Sequence, residues 1–142
     1  MRKNAREDAF RLLFEQLVNE GEVEEKLTRY FDTVAERAEE EEPFYVNSPA
    51  GEDNSYVKNV VEGVQKELAT IDGHIQNNLM GWEMERVSKI SIAVLRLAIY
   101  EILYMPDIPA QVSANEAVTI AKKYDSPAAG SFVNGVLGKV IG

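Results

Sequence analysis

The side chains best suited to chemistry crowd the first eleven residues. Arg2, Lys3, Arg6 and Arg11 stand there against Glu7 and Asp8, a local net charge of +2. The whole 142-residue chain carries −9, so the remainder carries −11. A basic tip on an acidic body can grip a phosphate backbone locally while the rest repels it. The plain alternative is a solvated helix start. Arg6 falls on the same helical side as Phe10 and Leu13, one turn earlier. A cation cannot enter a core unpaired. Arg6 therefore belongs at a core edge, aimed into a cleft or salt-bridged to a neighbouring helix.

Groupings for catalysis are missing. There is one histidine and no cysteine, which removes the commonest nucleophile–base pairs, thiolate metal sites and disulfides. His74 sits among Ile71, Ile75 and Leu79 with no ligand motif around it, and a surface or capping role is expected. No phosphate-binding glycine loop, helical zinc pair or base-backed carboxylate pair occurs. The expectation is a protein that is not an enzyme and takes no cofactor and no metal. MRKNAREDAF lacks an apolar signal core. With no cysteine and no bilayer-long apolar stretch, a cytoplasmic, membrane-free protein is the simplest reading.

The elements that position these groups are helical. Ile90–Met105, ISIAVLRLAIYEILYM, has only Arg96 and Glu101 charged. It is too long for an ordinary strand and too short for a span, and as a helix it measures roughly 24 Å. Its apolar groups go nearly all the way round, leaving Lys89, Ala93, Arg96 and Tyr100 as a narrow stripe for water. Such a helix must be sheathed by others. Glu101 points between Leu97 and Met105. It needs either a partner from another helix or a protein ligand.

Around this rod the spacing predicts six more helices. The first covers about 5–19, opened by an Asn4/Glu7 capping box, and the second about 23–40, with Val23, Leu27, Tyr30, Phe31, Val34 and Ala38 inward. The acidic run Glu39–Glu42 is a solvated end, and Pro43–Gly51 is the longest loop. The third covers about 52–70, where Gly63 marks a close helix approach or simply costs stability. The fourth covers about 71–80. Gly81-Trp82 then breaks the chain, with Trp82 packed as a plug, and the rod runs about 87–105. Pro106 and Pro109 stop it. A capping box at Ser113–Glu116 opens the sixth helix, which runs to about Tyr124 with Val112 inward. Ser126-Pro127 caps the seventh, which ends near Ile141. Gly135 and Gly138 give that helix a close approach. Arg96, Asn115 and Glu116 form a polar network between the fifth and sixth. The fold class is all-α, a seven-helix bundle.

Three blocks in order, LRLAIYEILY (95–104), DIPAQVSANEAVTIAKKY (107–124) and FVNGVLGKV (132–140), resemble the NusB transcription antitermination family. The opening AREDAFRLLFEQ (5–16) resembles that family's first helix. The same module begins certain ribosomal-RNA cytosine methyltransferases; these 142 residues hold no cofactor-binding α/β domain, so the expectation is against that enzyme. The resemblance implies two three-helix subdomains sharing a long central helix, here 1–70 and 71–142. It implies binding of boxA, a single-stranded RNA element in ribosomal-RNA transcripts, together with NusE, a small-subunit ribosomal protein. It also implies action in an RNA polymerase antitermination complex, a role in ribosomal-RNA processing and, for some members, a homodimer.

Carried over by position, the family's basic start maps onto Arg2, Lys3 and Arg6. The aromatic of FVNG, Phe132, maps onto a position near the RNA. The preceding position, often lysine in the family, is Ser131 here, a departure that weakens stand-alone RNA affinity. Cations along the backbone and aromatic stacking are how single-stranded RNA is held, and Arg6 beside Phe132 would supply both. Core packing is the other reading of Phe132, given its spacing with Val136 and Val140. Tyr100, Glu101 and Tyr104 are the candidates for binding a basic protein partner. A protein-interaction scaffold acting as a homodimer without RNA is the rival function.

Overall fold

The computed structural model describes the backbone of residues 2–40 and 50–142, and the side chains of residues 4–34 and 54–142. Seven α-helices and no strand occur among them: α1 (Arg2–Val18), α2 (Val23–Glu40), α3 (Ala50–Lys66), α4 (Leu68–Asn77), α5 (Lys89–Tyr104), α6 (Ala110–Tyr124) and α7 (Pro127–Ile141). A short 3-10 turn, Met84–Arg86, leads into α5. The chain divides into two compact units, 1–62 and 63–142. The expected division, between residues 70 and 71, instead falls inside α4.

In the first unit, Ala5, Ala9, Phe10, Leu12 and Leu13 of α1 are buried, as are Leu27 of α2 and Tyr56, Val57, Val60 and Val61 of α3. The helix starts at Arg2, so Asn4 is not its cap; it is an exposed residue of the first turn. The α1–α2 turn is fastened by a lysine that periodicity overlooks. Lys26 is buried, and its ammonium donates to Gln16 Oε1 and to the Asn19 carbonyl at 2.6 Å. Gln16 Nε2 in turn donates to the Gly21 carbonyl at 3.0 Å. The side chains of Ala38–Glu40, residues 41 and 42 of the acidic run, and residues 43–49 of the expected loop lie outside the described residues.

The second unit is built on α5, which packs against α4, α6 and α7. Ile92, Val94, Leu95, Leu97 and Ile99 are buried, each such side chain contributing about 1.5–3 kcal/mol of apolar transfer. The expected water-facing stripe is mostly covered. Ala93 and Tyr100 are buried, and Arg96 is covered by a two-pronged pair with Asp72 of α4, both contacts at 2.9 Å. Arg96 thus ties α5 to α4, not to Asn115 and Glu116 of α6. The α3–α4 boundary is a one-residue break at Glu67, earlier than expected, and backbone bonds Glu67 N to Gly63 O and Ile71 N to Glu67 O continue through it. Tyr100 lies against Gly63, where a Cβ would overlap its ring. That is the close approach Gly63 was read for. In α7 the close approach is instead at Gly130, against the Lys122 side chain, while Gly135 and Gly138 have open space.

Caps set the starts of α5 and α7. Ser88 Oγ accepts from Ser91 N at 3.0 Å, and Ser126 Oγ from Ala129 N at 3.0 Å, with Pro127 in the first turn as expected. The Ser113 capping box does not form. The chain enters α6 at Ala110 after Pro109, placing Ser113 inside the helix, buried, with Val112 exposed. Ser113 Oγ donates instead to Glu101 Oε1 at 2.8 Å, so the hydroxyl that would have capped α6 serves a buried carboxylate.

Candidate nucleic-acid interface

The basic start is helical from its second residue. The side chains of Arg2 and Lys3 lie outside the described residues. Arg6 is only 6% exposed and is engaged within the protein. Arg11 is well exposed and sits 3.6 Å from Asp8. Asp8 also accepts from the Tyr30 hydroxyl at 2.8 Å. These contacts belong to the first unit; Phe132 belongs to the second.

A second surface forms in the 63–142 unit, around an indole that reads from sequence as a plug. Leu79 and Trp82 bracket a tight turn closed by Trp82 N donating to Leu79 O at 3.2 Å. Met80 and Gly81 both take positive φ, 53° and 90°, the signs of a type I′ turn, which glycine allows without penalty. The turn delivers Trp82 to the surface, 60% exposed. It does not plug the core. Its ring meets half-buried Phe132 edge-on, with centroids 6.3 Å apart and planes at 69°.

The two rings form the common wall of two cavities. The first, of 290 Å³, is bounded by Trp82, Phe132, Arg86, Ser88, Asp125 and Ser126. Ser88 Oγ donates to Asp125 Oδ2 at 2.8 Å, stitching the starts of α5 and α7 together. The second, of 230 Å³, is bounded by Trp82, Phe132, Met80, Ser131 and Lys139. Phe132 is thus neither core nor bare surface. Its partner Trp82 was missed, and the one sequence signal for it was the Gly81 turn.

The expected protein-binding residues lie at the far end of α5. Glu101 is fully buried and takes Ser113, so of the two open readings the partner from another helix is the one realised. Tyr100 is buried too, and Tyr104 is exposed, its ring 5.2 Å from that of Tyr100. The Tyr104 hydroxyl donates to Glu67 Oε2 at 3.4 Å. Burial first, then the charge of Glu67, pushes the Tyr100 phenol above its ordinary value of 10.0. His74 is half-buried in the last turn of α4, with its carbonyl accepting from Asn78 Nδ2. No group of three or more metal-binding side chains occurs among the described residues, and no described helix is long and apolar enough to cross a membrane.

Comparison with known proteins agrees with this geometry. The NusB family model matches residues 3–142. The transcription antitermination protein NusB of Clostridium botulinum (strain Loch Maree / Type A3) is 41% identical over 140 residues, covering 99% of each chain. Among solved structures, T. maritima NusB has a TM-score of 0.78 at 30% identity, covering 99% of this chain and 89% of that one. A structure of antitermination factors NusB and NusE in complex with dsRNA has a TM-score of 0.77 at 25% identity, covering 98% and 94%. Matched from its third residue to its last, and sharing both sequence and helical order with these proteins, the chain belongs to the NusB family.

Proposed function

We propose that this protein is a noncatalytic transcription antitermination factor that binds boxA RNA of ribosomal-RNA transcripts together with NusE, acts within an RNA polymerase antitermination complex and supports ribosomal-RNA processing in the cytoplasm. The observation that carries the reading is its likeness, over 98% of its length, to a NusB held with NusE and RNA. The residues proposed to contact RNA are Arg2, Lys3 and Arg6 at the start of α1 and Phe132 on α7. The NusE side comprises the Tyr100–Tyr104 end of α5. There Tyr104 offers the accessible ring, while Glu101 and Tyr100 hold the helix in place beneath it. An acidic body suits a basic ribosomal protein through charge complementarity.

The test is boxA RNA binding measured with and without NusE. NusE tightens binding, and the Arg2→Ala/Lys3→Ala double variant weakens binding by the pair. Because Arg6 is buried, Arg6→Ala is read beside a melting curve. If the double variant and a folded Arg6→Ala variant both bind as the parent does, the basic start is not the RNA surface.

A further inference from the structure

We propose that Trp82 and Phe132 act together as an aromatic partition that takes one unpaired nucleobase on each side. This rests on the RNA-binding reading above and adds to it a residue, Trp82, and a mode of contact. Four observations converge. A 60%-exposed indole is an uncommon feature of a surface, and here a tight turn holds it outward. A half-buried phenyl ring braces it edge-on at 6.3 Å, so the indole face is presented with little ordering left to do. The pair walls two cavities, of 290 and 230 Å³. Both are below the usual range for ligand pockets of about 300–1,000 Å³, a size for one planar ring system each. Each cavity has a cation at its rim.

The cations suit a strand that enters one slot and leaves by the other. Arg86 bounds the first cavity and Lys139 the second. Arg86 is 3.7 Å from Glu83, with both side chains largely in water, so that pair is weak and gives way readily to a phosphate. In the first slot Asp125, fixed by Ser88, supplies an acceptor for a base amino group. In the second, Met80 and Trp82 supply apolar contact. Stacking on aromatics is sequence-tolerant and adds to backbone charge rather than replacing it.

Trp82 is the chain's single tryptophan, so its emission reports the partition directly. The experiment titrates the full-length protein with boxA RNA, NusE present, following RNA anisotropy and tryptophan-selective emission with an iodide quencher. NusE enters as a tryptophan-free form, and NusE alone is the control. The partition predicts that RNA quenches Trp82 and shields it from iodide. It also predicts that Trp82→Ala weakens binding about 5- to 100-fold without changing its salt dependence, and that Trp82→Phe restores most of the loss. RNA binding with Trp82 unshielded and Trp82→Ala at parental affinity overturns the partition and leaves the RNA reading standing. Shielding by NusE alone, with none added by RNA, assigns Trp82 to the protein interface and also overturns it. No RNA binding in any arm removes the reading and the partition together.

Discussion

At the scale of single residues, Gly63 shows how a missing side chain does structural work. The Tyr100 ring occupies the space where its Cβ would stand. The buried phenol, kept neutral by burial and by Glu67, needs that space. Gly63→Ala should therefore cost about 1–3 kcal/mol of stability through overpacking. Gly73, also helical but with nothing within 4 Å of its notional Cβ, should gain about 0.4–1 kcal/mol on the same change. Urea unfolding of the two variants separates them, and equal shifts would contradict the packing argument. Gly63 was legible as a candidate close approach because glycine within an apolar helix has few other uses. Gly130 was not, because what fills the space beside it is the stem of Lys122, a residue that pattern alone leaves in solvent.

At the scale of elements, periodicity carried the helices and side-chain partners decided their details. The apolar period placed α2 correctly from Val23 to Glu40 and marked α5 as the enclosed rod. It misjudged the faces where polar groups pair. Arg96 reads as water-facing because it is charged, yet Asp72 takes it through two of its three guanidinium nitrogens. Arg96→Lys keeps the charge and loses the fork, so it should destabilise by about 1.5–3 kcal/mol in chemical denaturation; a neutral result would mean the pair is dispensable. Two capping boxes failed for one reason. Ser-x-x-Glu and Asn-x-x-Glu spacings also occur inside helices, and at Ser113 a buried carboxylate claims the hydroxyl. Ser126 kept its cap, because Pro127 restricts the preceding residue to extended backbone and fits the first helical turn. For Trp82, pattern reading offers only the Gly81 break. Residue type favours burial for indole, and only the Met80-Gly81 turn overrides it.

At the scale of the whole molecule, charge is distributed against its own average. A chain of net −9 with +2 in its first eleven residues binds a polyanion only where cations face it, so affinity and salt dependence come from few contacts. With three or four phosphates neutralised, log affinity for boxA RNA against log salt should fall with a slope of about −2 to −3. A much steeper slope would require cations that the acidic body does not offer. A slope near zero would leave the basic start without a role. The family and fold were readable because three sequence blocks keep their order and spacing. The site was readable only in its aromatic at Phe132, since the ring it leans on lies fifty residues earlier in the chain and meets it only once α7 is in place.

Lys26 closes the α1–α2 turn onto a carbonyl only seven positions upstream. Closing so short a loop costs little chain entropy, and every group involved lies between Gln16 and Lys26. As the polypeptide leaves the ribosome, this hairpin can assemble while the segments that will enclose α5 are still being synthesised. The basic end of the protein would then have its scaffold before the aromatic end exists.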